Sequence, residues 1–455
     1  MENTDGETRP GRSAGPGVSN GLDRVREVAR RDKDARFTAL LHHVSYRRLV
    51  LAFDALKKDA APGTDGVSWR EYDGNWQENL LGLHSRVQSG SYRATPSRRV
   101  YIPKADGRLR PLGIASLEDK VVQRAVAEVL GAVYEADFRG FSYGFRPGRG
   151  QHDALDALAV GLQSRVNWVL DADIRGFFDH LDREWLMKFL RHRIADERVL
   201  RLVTKWLAAG VIEDGAWSDS GEGTMQGGSL SPLLANVYLH YVLDLWADWW
   251  RKTHARGNVI IVRFADDFIV GFQYQDDAEK FLGELRGRLA KFSLELHPGK
   301  TRLIEFGPRA ARDRKARGEG KPETFTFLGF RHIAWTPRRG QFRVQRVTDK
   351  KKMAAKLKQL RAELLSRRHL PVPEQGRWLA SVVTGHQRYY AVPGNHDAAD
   401  AFRSQAIRLW RFALSRRSQK GYVTWDRMSR LASRYLPSTR IMHPWPNVRF
   451  AARYP

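Results

Sequence analysis

Apolar and polar positions repeat with two different periods along this chain, and the change of period outlines its architecture. In residues 168–174, Leu170, Ala172 and Ile174 fall on one side of a period-two pattern and Asp171 and Asp173 on the other, which predicts a strand. Residues 97–102 predict another strand, running into a Lys-Ala-Asp-Gly turn at 104–107. Two apolar runs, 259–262 and 268–270, flank Phe264-Ala265-Asp266-Asp267 and predict a hairpin over 259–272. Residues 326–335 and 341–347 predict a further strand pair. Helical spacing predicts helices over 22–60, 117–136, 182–207 (with short breaks, Asp182 capping its start), 231–250 and 276–292. From Asp349 onward only helices are expected. Met353, Leu357, Leu360 and Leu364 share one face of the first, Trp378, Val382 and Tyr389 mark a second, and 402–414 a third. The order predicts an α+β body followed by an all-helical region, with a boundary near 348. Residues 1–21, rich in Gly, Pro, Ser and Thr, are expected to be disordered, and the charged stretch 308–323 to be a mobile surface loop.

Composition narrows the class. The 455 residues suffice for two to four domains, and 42% hydrophobic residues mark a globular chain. A formal net charge of +26 favours a polyanionic partner, above all nucleic acid. With no cysteine there is neither a disulfide nor a Cys-ligated zinc site. No apolar run is long enough to span a membrane, and the N-terminus lacks the apolar core of a signal peptide. A cytoplasmic protein is expected.

The candidate chemistry rests on carboxylates. Asp266 and Asp267 are adjacent like charges in a turn, costly to bring together unless a cation lies between them, and hard oxygen donors suit Mg²⁺. A solvated turn is the competing reading. A two-metal phosphoryl-transfer site needs another carboxylate from a separate strand, and Asp173 supplies it. Asp171 is also open to a capping or ion-pair role.

Three segments in order, DADIRGFFDHLD, GTMQGGSLSPLLANVYLH and FADD, resemble the A, B and C motifs of reverse transcriptases. The blocks at 101–114, 118–123 and 141–149 resemble the fingers of bacterial group II intron-encoded reverse transcriptase/maturases, and 63–67 their N-terminal block. Residues 294–301 and 327–330 resemble the D and E blocks, and the helical end, through 416–421 and 441–446, the thumb. The resemblance covers about 25–450. It implies a right-hand polymerase: an N-terminal extension and fingers at 22–165, a palm at 166–347 and a helical thumb/maturase region at 348–455.

The resemblance implies roles residue by residue. Asp173, Asp266 and Asp267 hold two Mg²⁺ ions. Lys300 matches the proton donor to pyrophosphate. Lys104 and Arg110 match triphosphate contacts, Phe178 the side chain that crowds out a ribose 2′-hydroxyl, and Gln226 a nucleotide contact. Arg146, Arg149 and the Ser-Tyr-Gly-Phe block at 142–145 are expected to line the template groove, and Leu328, Gly329 and Phe330 to position the primer end. Arg416, Arg417 and Lys420 belong to a thumb surface in which residues 402–455 carry 12 Lys/Arg and one acid, Asp426, interleaved with Trp410, Trp425, Tyr435 and Trp445. RNA contact is expected there. The implied partners are group II intron RNA, a DNA target, a primer strand and dNTPs; monomer and dimer stay open. Three positions depart from the family pattern: Met225 for Pro, Gly299 for an acid and Phe264 for Tyr. With no Cys for its structural metal, the HNH endonuclease of many relatives is expected to be absent. A splicing-only RNA chaperone, and a reverse transcriptase recruited to host repair or phage defence, remain as alternatives.

Overall fold

The computed structural model describes residues 19–103, 109–213, 216–218, 227–336, 342–418 and 421–453. Its strands are β1 (Ser97–Pro103), β2 (Leu109–Ile114), β3 (Trp168–Ala172), β4 (Val211–Glu213), β5 (Ala216–Ser218), β6 (Val259–Phe264), β7 (Asp267–Phe272), β8 (Arg302–Glu305), β9 (Thr324–Phe327), β10 (Phe330–Trp335) and β11 (Arg343–Thr348). They form three sheets, ordered β2-β1-β4-β5, β6-β7-β3-β8 and β11-β10-β9. The α+β class is as expected.

The β6-β7-β3-β8 sheet is antiparallel throughout and carries the acids. Both of its faces are buried, which is why β6 and β7 read as unbroken apolar runs. On one face, Leu170, Ala172, Ile261, Phe268 and Val270 join the largest core, shared with helices Leu117–Tyr134, Arg183–Arg193, Glu197–Ala208 and Ser231–Leu239. On the other, Val169, Val262, Ile269 and Ile304 pack against helix Gln151–Leu162 and against Phe325, Phe327 and Phe330 of the β9–β10 hairpin. Asp171 and Asp173 lie on this second face. A third core, built on Leu360, Leu364, Leu379, Phe402 and Trp410, holds the helices Lys350–Ser366, Val372–Tyr390 and His396–Ser415 together.

Several expected elements differ. The helix expected over 22–60 is split into Ser19–Arg31 and Tyr46–Asp54. The Asp32 carboxylate accepts from the backbone N–H of Asp34 and Ala35, at 2.9 and 3.0 Å, and Phe37 pairs with Ile194. Local side-chain bonding of this kind competes with the helix. Of the expected disordered N-terminus, residues 19–21 open the first helix and 1–18 lie outside the described residues. The strand expected over 326–335 is two strands, turned at Leu328 and Gly329. The charged stretch 308–323 contains a helix, Ala310–Ala316, with Ala310 buried, and Arg317 reaches Glu305 at 2.5 Å. A single π turn, His240–Asp244, interrupts the helix expected over 231–250. Asp182 caps its helix as expected, accepting from Trp185 N at 3.0 Å.

Candidate active site

Strand pairing brings the acids together. Phe264 pairs with Asp267, leaving a two-residue turn of Ala265 and Asp266. Ala265 has φ 58°, so the turn is of the II′ type, whose first position favours glycine. Across the sheet, Ala172 pairs with Phe268. Continuing that register by one residue sets Asp173 opposite Asp267, on the same face. Beyond β3, the loop before β8 folds over Asp173. His297 N donates to the Asp173 carbonyl at 2.8 Å, Thr301 N donates to the His297 carbonyl at 3.0 Å, and Lys300 Nζ donates to Asp173 Oδ2 at 2.5 Å. Arg302 Nη2 meets Asp171 Oδ2 at 3.3 Å.

The field at the site is negative. The Asp267 carboxyl opens to solvent but is hemmed in by protein, and this loss of hydration pushes it up to about 6. Asp266 and Asp173 push in the same direction, and the Lys352 ammonium opposes them. Burial likewise raises Asp171, against the pull of Arg302. Carboxylates that repel one another are, by the chemistry of their oxygens, a donor set suited to a hard divalent cation. Among the described residues, no three acidic or histidine side chains already stand at metal-ligating spacing. The Lys300 ammonium, at hydrogen-bond distance from Asp173, stands where positive charge is wanted.

The remaining expected residues divide. Phe178 is half-buried in the segment that follows β3, edge-on to the buried Phe177 with ring centroids 5.2 Å apart. Lys104, Met225, Gln226 and Lys420 lie outside the described residues, as does the side chain of Arg110. Arg146 corrects the expectation of a template contact. It is buried, bound to Glu135 at 2.6–3.1 Å and to the carbonyls of Arg139 and Ser142 at 2.7 Å, so its charge is spent inside the fold. Arg149 is half-buried, 2.5 Å from the Gly140 carbonyl and 5.3 Å from the Tyr143 ring. Phe330 is a second correction: it is wholly buried against Tyr389 and Tyr390, out of reach of a primer. Leu328, half-buried, and Gly329, buried, form the turn between β9 and β10, both at positive φ. Tyr389 Oη donates to the Leu328 carbonyl at 2.7 Å, and a Cβ on Gly329 would lie 2.8 Å from Tyr390 Oη. Arg416 is exposed beside Phe412, whereas Arg417 donates to the Arg368 carbonyl at 2.6 Å. Trp410 is core, and Trp425 and Trp445 are about half exposed.

Two residues escaped the sequence reading, and a third, Phe145, belongs to the Ser-Tyr-Gly-Phe block expected to line the template groove. Phe145, 59% exposed at φ 57°, has its ring 6.3 Å from that of Phe264. Lys352, in the first turn of helix Lys350–Ser366, acts on Asp267 and lies beside Gly329. Arg263 is a fully buried cation just before the acidic turn. Of the two that escaped, only Arg263 carried a signal, as a charge inside an apolar strand.

Residues 102–332 match the family described as reverse transcriptase (RNA-dependent DNA polymerase). The chain is 35% identical over 319 residues to Protein YkfC of Escherichia coli, covering 62% of this chain and 78% of that protein. It is 33% identical over 241 residues to the group II intron-encoded protein LtrA of Lactococcus lactis, covering 52% of this chain but 40% of LtrA. A shorter likeness, 30% over 128 residues, is to the mitochondrial nuclear intron maturase 3 of Arabidopsis thaliana.

Proposed function

Because the chain belongs to the reverse transcriptase (RNA-dependent DNA polymerase) family, we propose that Asp173, Asp266 and Asp267 are the site at which it extends a DNA primer on an RNA template. The observation that carries this reading is the pairing of Ala172 with Phe268 and of Phe264 with Asp267, next to which Asp173 follows in the chain and Asp266 lies in the turn between β6 and β7. The three carboxylates would hold two Mg²⁺ ions, which when bound acidify the primer 3′-hydroxyl and neutralise charge on the triphosphate. Lys300, bonded to Asp173, gives a proton to the departing pyrophosphate. Phe178 excludes a 2′-hydroxyl by crowding. Lys104 and Arg110 bind the triphosphate, and Gln226 lies against the incoming nucleotide. The turn at Leu328 and Gly329 supports the primer end, with Lys352 beside it as a phosphate contact.

In this reading residues 22–165 are the N-terminal extension and fingers, 166–347 the palm and 348–455 the thumb. The basic thumb, together with the likeness to LtrA and to an intron maturase, supports binding of a group II intron RNA, help with its splicing and copying of it into DNA. Primer extension with an RNA template, a DNA primer, dNTPs and Mg²⁺ tests the core of this. The wild type should extend, and Asp266→Asn should abolish extension while retaining RNA binding. A wild type that binds RNA and extends nothing would identify a splicing-only chaperone.

A further inference from the structure

We infer that Arg263, Asp244 and Asn236 form a buried positioning unit that sets the placement of the Asp266 and Asp267 turn relative to Asp173. The inference rests on the assignment of those acids as the polymerising site. Arg263 and Asp244 are both 0% exposed and Asn236 is 1% exposed, on the sheet face opposite the acids. No substrate reaches them, so any effect on the reaction passes through the turn.

All three guanidinium nitrogens donate, through four of the five N–H groups. Nε donates to Asp244 Oδ1 at 2.7 Å and Nη2 to Asp244 Oδ2 at 2.5 Å, a bidentate pair. Nη1 donates both to Asn236 Oδ1 at 3.0 Å and to the Ala265 carbonyl at 2.9 Å. Ala265 is the strained residue of the turn, at φ 58° without being glycine. Such a conformation persists only where its surroundings over-determine it. The bond to its carbonyl is one restraint. Gly144 is the other: a Cβ there would lie 2.3 Å from Ala265 N, and Asn236 Nδ2 donates to the Gly144 carbonyl at 2.8 Å. Asn236 therefore joins the two restraints, accepting from Arg263 and donating to Gly144.

Asp244 closes the π turn His240–Asp244. A wide turn re-registers the helix that follows, and such turns frequently serve functional sites. A buried ion pair is weak evidence for stability, since apolar residues of similar volume often replace one without loss. Its geometric effect here is specific: it fixes a carbonyl one residue from a metal-binding acid.

The double variant Arg263→Met with Asp244→Leu separates the two roles, because it removes both charges together and leaves neither unpaired. Melting temperature, primer extension, and the Mg²⁺ and Mn²⁺ concentrations for half-maximal activity would be measured on it, on Asn236→Ala and on Asp266→Asn. A positioning unit predicts a folded double variant whose kcat falls about 10–100-fold, the scale of a misplacement of about 1 Å, and whose Mg²⁺ midpoint rises several-fold with partial rescue by Mn²⁺. A merely structural role would alter the melting temperature and the active fraction but leave both metal midpoints unchanged, and that result overturns the inference. If the double variant does not fold, Asn236→Ala decides on the same midpoints. If Asp266→Asn retains extension, the assignment of the acids fails instead; if it is inactive while the buried variants behave as wild type, only the positioning role fails.

Discussion

At the residue scale the site is a problem of like charges. Asp267 is raised to about 6 first by lost hydration and then by Asp266 and Asp173. A proton and a divalent cation therefore compete for it, and the proton wins as pH falls below about 6. The Mg²⁺ midpoint for primer extension should rise by up to about tenfold per unit below pH 6 and be flat above it; a midpoint unchanged between pH 5 and 7 would remove Asp267 from the metal set. Phe178 sits beside a core aromatic but is only half-buried itself, so part of its ring stays accessible. Phe178→Ala should raise incorporation of NTPs relative to dNTPs by at least about tenfold, the scale at which a pocket discriminates a small group. An unchanged ratio would make Phe178 a core residue. The sequence reading treated Arg146 and Arg149 alike, as cations near a groove. The fold separates them, because Glu135 and two carbonyls enclose Arg146.

At the element scale, close backbone approach matters more than side-chain chemistry. The Phe-Ser-Tyr-Gly-Phe segment runs beside β6: Arg263 N donates to the Phe141 carbonyl at 2.9 Å, and Tyr143 N to the Arg263 carbonyl at 2.8 Å. Gly144 then meets the acidic turn backbone to backbone. Gly144→Ala must displace one or the other, with a stability loss of about 1–3 kcal/mol or more by overpacking. It should also lower kcat more than it raises KM for the template-primer, since the displaced element carries the acids. Thermal melting and steady-state kinetics check this, and a kcat matching the wild type would exclude tight coupling of the two segments. The elements best read in advance were those with one apolar face, such as helices Leu117–Tyr134 and Gln275–Ala290. The splits at 32–40 and at Leu328 and Gly329 were missed because they depend on a local side-chain bond and on backbone at positive φ, neither of which interrupts a hydrophobic pattern.

At the scale of the whole molecule, the chain folds back on itself. Helix Pro446–Arg453 packs on helix Gln151–Leu162, where Arg449 and Arg346 both bind the buried Asp156 and Arg453 approaches Asp153 at 3.3 Å. The change to a helical pattern near 348 therefore marks a change of architecture rather than a severed unit. The net charge of +26 bears on affinity at this scale. RNA binding should weaken steeply with salt, with a log–log slope of about −4 if some six phosphates are neutralised on a single strand. A flat response would remove the basic surface from the interface.

The sequence by itself determined the family, because its ordered motif blocks are contiguous in the chain, and it singled out three carboxylates as candidates, because the alternation around Asp173 and the turn around Asp266 are local patterns of the backbone. It also determined the α+β body and its helical end, since hydrophobic period is a property of neighbours in the chain. Only the tertiary structure decided which cations are spent internally, which aromatics are core, and what holds the strained Ala265 in place. Those answers depend on partners far apart in sequence: Arg146 with Glu135, Phe330 with Tyr389, Arg263 with Asp244. Burial and pairing emerge only when the chain closes on itself, and they separate a charge available to RNA from one that the fold has already neutralised.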